Sequence, residues 1–108
     1  MDAWQKRELA CRIPELIAKW EPIIGVEVRE WVIQKMERKW GTCNKSAGRI
    51  RLNSRLACLP ISNIEYVVVH EMVHLHERNH GPRFQSLMDG FLPQWRTLKS
   101  QLSEVPLG

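Results

Sequence analysis

The 108-residue sequence predicts an α+β fold with an N-terminal helix, a short antiparallel sheet, a buried helix and further helices at the C-terminal end. Three observations predict this class. Residues 3–24 have the spacing of an amphipathic helix, two short segments alternate as strands do, and helical patterns follow Pro60. The length suits one compact core, so we expect residues 1–108 to form a single domain.

The first helix is predicted over residues 3–24, because apolar side chains recur there every three or four positions. These side chains are Leu9, Ile13, Leu16, Ile17, Trp20 and Ile24. Pro14 is expected to bend the helix and Gly25 to end it.

Two strands are predicted where apolar and polar residues alternate, at residues 26–29 and 49–53. The segment between them, residues 39–48, is rich in turn-forming residues. We therefore expect the two strands to pair as an antiparallel hairpin with a long connection.

A second helix is predicted to begin at Ser62, because Ser62 and Glu65 have the spacing of a capping box. The β-branched run Val67 to Val69 favours a strand instead. The helix is preferred, because the histidine spacing described below has chemical meaning only on a helix.

Two further helices complete the prediction. Residues 79–82 should break the chain, with Pro82 in the first turn of a helix whose apolar stripe includes Phe84. The last helix is expected from Pro93 to Leu102. The predicted order is therefore one helix, two strands and three helices.

The segment His70-Glu71-Met72-Val73-His74 carries the chemistry of the chain. In a helix, residues four apart leave the same face one turn apart, so His70 and His74 can bind one metal ion. Glu71 lies about 100° around the helix and can reach a water molecule on that metal without being a ligand. This arrangement predicts a zinc site with Glu71 as general base.

A catalytic zinc site needs a third protein ligand and one open position. His80 is the preferred third ligand, provided that the chain turns back at residues 79–82. Glu77 is the alternative, but it lies about 10 Å along the helix axis from His70, which strains direct coordination. His76 points to the opposite side of the helix and is expected to be a structural histidine.

The motif alone has a false-positive rate on the order of one in a hundred for a chain of this composition. The competing interpretation is a core helix with incidental histidines. The apolar residues on both sides of the histidines argue against that interpretation, because they indicate that the helix is buried. A buried helix needs polar partners for two histidines and a glutamate.

The sequence also resembles the YgjP-like family of metal-dependent hydrolases, which are zincin-like peptidases related distantly to the SprT-like group. The matching segments are 39–43, 48–53, 66–75 and 79–80, together with Phe84. The resemblance implies a zincin-like fold and zinc ligands at His70, His74 and His80. Members commonly carry Arg, Ser and Trp where this chain has Lys39, Thr42 and Gln85.

The expected function is therefore that of a zinc-dependent metallohydrolase, specifically a peptidase that acts on peptides or proteins with one zinc ion per chain. Zinc would activate a water molecule, and Glu71 would take its proton. The residue that stabilises the oxyanion is left open among Tyr66, His76 and Arg78. Cys43 is a further candidate, as an inhibitory fourth ligand.

The alternative function is a non-catalytic, zinc-stabilised module that binds nucleic acid or an acidic protein. Seven basic residues and one acidic residue lie between Lys35 and Arg55, in a chain whose net charge is +4. Trp40 within this basic region could stack on a base, although a core position is the more ordinary role for a tryptophan beside Gly41.

Composition indicates a cytoplasmic protein. The three cysteines have no paired spacing, which favours reduced thiols over a disulfide framework. No apolar run approaches the ~20 residues needed to span a bilayer, and the charged first residues do not form an export signal. No membrane partner is expected.

Overall fold

In residues 3–105, the part of the chain that the computed structural model describes, the fold consists of four α-helices and a three-stranded sheet. In chain order the elements are α1 (Ala3–Ile24), β1 (Glu30–Gln34), β2 (Gly41–Asn44), β3 (Arg49–Asn53), α2 (Ile61–Val73), α3 (Pro82–Phe91) and α4 (Trp95–Ser103). A 3-10 turn, Ser54–Cys58, joins β3 to α2. The predicted α+β class is confirmed, and residues 1–2 and 106–108 of the predicted domain lie outside the described residues.

The first helix has the bounds predicted from its periodicity, and it includes Pro14 and Pro22. Gly25 ends it with a φ of +79°, a left-handed conformation that glycine adopts without steric cost, and its N–H donates to the carbonyl of Glu21 at 2.8 Å. The apolar stripe of α1 is buried, with Leu9 and Ile13 at 1% and 0% exposure. This stripe forms one side of the core.

The predicted antiparallel pairing of residues 26–29 with 49–53 is wrong. The strand begins at Glu30, and β1 runs parallel to β3, with Trp31 opposite Ile50. Residues 26–29 form the connection from α1 instead, because the N–H of Val28 donates to the Glu21 carboxylate at 3.0 Å and not to a neighbouring strand. Val26 and Val28 still pack against the core, which explains their alternation.

The antiparallel partner of β3 is β2, which lies inside the segment predicted as a connection. A tight turn joins the two strands: Asn44 Oδ1 accepts from the N–H of Ala47 at 3.1 Å, and Gly48 has a φ of +65°. The strand order is β1-β3-β2, so β2 is an edge strand of this sheet.

The second helix begins at Ile61, after Pro60, and no side chain caps it. The predicted capping box at Ser62 is therefore wrong. The Glu65 carboxylate binds α1 instead, accepting from Trp20 Nε1 and from Lys19 Nζ at 2.9 Å each. This contact joins α1 to α2.

Tertiary burial explains why the valines of α2 are helical. Val67, Val68 and Val69 are 3%, 0% and 0% exposed. Burying each side chain stabilises the fold by ~1.5–3 kcal/mol, whereas the helix propensity of valine costs at most ~0.7 kcal/mol relative to alanine. Burial is the larger effect.

α2 is the central element, because it contacts α1, α3, α4 and the strands β2 and β3. Its C-terminal end therefore lies among several elements that can contribute to one site. Within residues 3–105, none of the helices is long and apolar enough to cross a membrane.

Candidate metal centre

Three histidines converge at the C-terminal end of α2. His74 Nε2 lies 3.0 Å from His80 Nε2, and His80 Nε2 lies 3.3 Å from His70 Nε2. Among the described residues, these are the three His, Cys, Asp or Glu side chains whose ligand atoms lie close enough together to hold a metal ion, all within 4.8 Å of one another. The structure thus brings together the triad predicted from the sequence.

The local fold explains how distant positions in the chain meet here. α2 ends at Val73, and His74 keeps a helical conformation as its C-cap, which preserves the four-residue relation to His70. The chain then reverses, and Gly81 and Pro82 begin α3. His80 lies in this reversal, where Gln85 Nε2 donates to its carbonyl at 3.4 Å.

In two of the histidines, Nδ1 donates a hydrogen bond, which leaves Nε2 available to bind a metal. His74 Nδ1 donates to the carbonyl of Glu77 at 3.0 Å, and His70 Nδ1 donates to the Glu71 carboxylate at 2.9 Å. An imidazole that donates from Nδ1 carries its lone pair on Nε2. Such second contacts orient metal-binding histidines in known sites.

The donor set fits zinc. Tetrahedral zinc with Zn–N bonds of ~2.0–2.1 Å requires nitrogens about 3.3 Å apart, close to the two Nε2 separations given above. Burial lowers the pKa of His74 and of His80, and the neighbouring histidines lower both further. Neutral imidazoles are the form that binds a metal.

Phe84 of α3 forms the apolar support of the triad. Its ring stacks on His74 with centroids 4.7 Å apart and meets His70 and His80 edge-on at 5.2 Å and 4.7 Å. The phenylalanine is 1% exposed, so it restricts the imidazoles from one side. Sequence patterning identified Phe84 as a core residue but gave no signal for this contact.

Glu71 is almost fully buried, at 4% exposure, beside the edge strand β2. The closest approach is at Gly41, where a Cβ atom would lie 3.0 Å from Glu71 Cγ and 3.2 Å from the carbonyl oxygen of Arg51. No pattern in the sequence indicates this role of Gly41, because residues 39–48 have the composition of a turn-rich connection. A side chain at position 41 would crowd both β3 and Glu71.

The rival ligands lie elsewhere. The Glu77 carboxylate accepts from the N–H of Asn79 at 3.3 Å and is 3.8 Å from Arg83 Nε, while its backbone carbonyl supports His74. His76 Nε2 donates to the carbonyl of Ile24 at 2.7 Å, which ties the end of α2 to the end of α1. The structural role expected for His76 is confirmed. As a candidate for stabilising the oxyanion, His76 is therefore wrong.

Tyr66 and Arg78 lie close to the triad. The Tyr66 ring is 5.7 Å from the His70 ring, and burial, with a contribution from the Glu71 carboxylate, raises the pKa of Tyr66 to about 12. Its hydroxyl therefore keeps its proton at neutral pH. The pKa of Cys43 is raised to about 11, mainly by burial and secondly by the Glu71 carboxylate, whereas Lys45 lowers it.

The histidines open into a cleft of about 630 Å³, called the main cleft below. It is lined by residues 39, 41–45, 70, 71, 74, 78 and 80. A smaller cavity of about 320 Å³, called the side pocket, adjoins the cleft at His70 and Glu71 and has Trp40, Tyr66 and Leu102 in its walls. The edge strand β2 thus borders the candidate metal centre.

Two solved structures have a similar fold. The metallopeptidase zymogen of Pyrococcus abyssi abylysin superposes with a TM-score of 0.75 at 18% identity, covering 83% of this chain and 90% of that one. The metallopeptidase zymogen of Methanocaldococcus jannaschii jannalysin gives 0.74 at 16% identity, covering 85% and 94%. At these identities the likeness shows the zincin-like fold.

Sequence comparison gives the family. The chain matches no curated protein. The model of the YgjP-like metallopeptidase domain matches residues 1–105. The chain therefore belongs to the YgjP-like family of metallopeptidases.

Proposed function

We propose that this protein is a zinc-dependent peptidase in which His70, His74 and His80 bind one zinc ion and Glu71 is the general base. The observation that carries the proposal is the convergence of three Nε2 atoms beside a buried carboxylate in a cleft. Membership of a metallopeptidase family supports the same reaction class.

A bound zinc ion would act as a Lewis acid and lower the pKa of a water molecule in its open position. The Glu71 carboxylate would take the proton of the attacking water and later donate it to the leaving amine. Its Oε2 accepts a hydrogen bond from His70 Nδ1, and Gly41 leaves room for it beside β2. The carboxylate is thus held next to the metal ligands.

The edge strand β2 supports peptide binding. Residues 41–45 line the main cleft, and β2 pairs with β3 on its other side. An extended peptide can add to such an edge through backbone hydrogen bonds. Tyr66 and Arg78 are the candidates for stabilising the oxyanion, and Tyr66 is the preferred one because its buried ring lies 5.7 Å from the ring of His70 and its hydroxyl can donate a hydrogen bond.

The test compares Glu71→Gln with the wild-type protein, both purified without chelators or a histidine tag. We expect near-stoichiometric zinc in both by elemental analysis, and hydrolysis of an unfolded protein in the wild type alone. Loss of a general base lowers the rate by about 10²–10⁴-fold. Glu77→Gln is the matched control, and it should retain both zinc and activity. Turnover by Glu71→Gln would refute the role of Glu71.

A further inference from the structure

Four basic side chains border the candidate metal centre, and of these only Arg78 is a candidate for a role in the proposed reaction. Lys39, Lys45 and Arg78 line the main cleft, and Lys99 of α4 lines the side pocket together with Lys39. All four are exposed. Among the side chains described in residues 7–105, none of the four forms an ion pair.

The carboxylates near these cations are few. Of the residues that line the main cleft and the side pocket, Glu71 is the single acidic one. A metal ion bound by the three histidines would add positive charge. Peptide side chains entering the cleft therefore meet a positive field, and such a field in a cleft concentrates ligands of the opposite charge.

The side pocket is the place where a substrate side chain would meet this positive charge. It opens at His70 and Glu71, where the scissile bond of a substrate would lie, and its volume of about 320 Å³ accommodates one amino-acid side chain. Its inner walls are apolar, from Trp40 and Leu102, whereas its lysines are exposed. A side chain with an aliphatic stem and a carboxylate end matches both parts.

These observations favour a peptide over a nucleic acid. Of the basic residues between 35 and 55, Lys39 and Lys45 line the cleft, whereas Arg49 binds Glu30 at 3.0 Å. Arg49 also lines, with Arg51, a second cavity of about 140 Å³, which shares residues 42–44 of the edge strand with the main cleft. The basic region is thus divided, and its cleft-lining part lies along the edge strand.

We propose that this peptidase selects acidic substrates, and that Lys39 and Lys99 bind the carboxylate of an Asp or Glu residue next to the scissile bond. The proposal rests on the proposed function for the position of that bond. Lys45 and Arg78, on the main cleft, extend the preference to acidic residues further along the peptide.

The first experiment maps cleavage sites. The zinc-loaded protein is incubated with a mixed peptide library of known sequences, and the products are identified by mass spectrometry. We expect cleavage to occur preferentially next to Asp and Glu. Each lysine should contribute about fivefold to that preference, which is the upper range for an exposed ion pair, and added salt should weaken it.

Charge-reversed variants assign the preference to residues. The double variant Lys39→Glu, Lys99→Glu should prefer sites next to Lys or Arg, with zinc content and circular dichroism unchanged. Lys35→Glu is the matched control, since Lys35 is an exposed lysine of the same basic region that does not line the cleft. It should cleave as the wild type does. Cleavage without charge preference, or a preference that the double variant keeps, would overturn the proposal.

A binding measurement separates this proposal from the proposed function. Zinc-loaded Glu71→Gln protein is titrated into fluorescein-labelled peptides that differ only in Glu, Gln or Lys at the central positions. Tighter binding of the Glu peptide that is lost in Lys39→Glu, Lys99→Glu would support acidic selection even if no variant cleaves. Equal binding of the three peptides, or preferential binding of a single-stranded oligonucleotide offered in competition, would overturn acidic selection even if peptides are cleaved.

Discussion

Replacing Gly41 with alanine tests the contact between the edge strand and the Glu71 carboxylate. The new Cβ would lie 3.0 Å from Glu71 Cγ and 3.2 Å from both Glu71 Oε2 and the carbonyl oxygen of Arg51. Carbon atoms in contact normally lie about 3.5–4.0 Å apart, so the methyl group overlaps its neighbours by roughly half an ångström. One of these groups must move.

Glu71 is the group expected to move. The Arg51 carbonyl belongs to β3, the central strand, which is held by partners on both sides. The Glu71 side chain can rotate, at the expense of its hydrogen bond with His70. Displacing a catalytic group by about 1 Å lowers the rate on the order of 100-fold, so a shift of about half that size should lower it about tenfold. If β2 shifts as well, overpacking lowers the free energy of unfolding by ~1–3 kcal/mol.

The assay measures kcat/KM for peptide hydrolysis, zinc content and the melting temperature of the same preparation. For Gly41→Ala we expect activity to fall about tenfold. The melting temperature should fall by about 4–8 °C for each kcal/mol lost, and zinc should be retained. Gly90→Ala is the control, because a Cβ at Gly90 meets nothing within 4 Å. It should leave activity unchanged and stabilise α3 by ~0.5–1 kcal/mol.

Two results would refute this reasoning. Wild-type activity and stability in Gly41→Ala would mean that the contact with Glu71 has no consequence. Loss of zinc together with unfolding would mean that Gly41 acts on the fold as a whole.

Three further predictions address other parts of the molecule. His80→Ala should weaken zinc affinity more than Glu77→Ala does, because the Glu77 carboxylate lies outside the triad. A competition titration with a chelator measures both affinities, and the reverse order would assign the third ligand to Glu77. Burial disfavours ionisation of Glu65, but hydrogen bonds from Lys19 and Trp20 outweigh it and lower the pKa of Glu65 below 4.5. The ionised carboxylate therefore stabilises the fold above pH 4.5, and this stabilisation is lost as the pH falls through the lowered pKa. The stability difference between wild type and Glu65→Gln in urea should therefore shrink from about pH 7 to about pH 3, and a constant difference would contradict the linkage. A pKa of about 11 keeps the Cys43 thiol protonated at neutral pH, so iodoacetamide should modify it more slowly than an exposed thiol; rapid modification would contradict that protonation state.

Local patterns in the sequence were sufficient for several parts of the protein. The periodicity of α1 defined its bounds, because a helix that buries one face repeats its apolar residues at a fixed spacing. The spacing of His70 and His74 placed them on one helix face, and the break at residues 79–82 predicted the reversal that returns His80 to them. The helix predicted over residues 67–69 from the histidine spacing is correct, and burial of the three valines outweighs their β propensity.

Only the tertiary structure decided the sheet and the surroundings of the metal centre. The hairpin prediction failed because strand pairing depends on contacts between distant segments, and the four-residue β2 is too short for its alternation to predict a strand. The prediction of a capping box failed because a tertiary partner, Trp20, binds the Glu65 carboxylate. In the same way, the contact of Gly41 with Glu71 and the side pocket lined by both Lys39 and Lys99 bring together residues that are far apart in the chain. The sequence by itself determined which three histidines come together and indicated the class of chemistry, since these depend on spacing within one helix and one turn. The shape and charge of the cleft were decided by packing, because they depend on which elements α2 brings together.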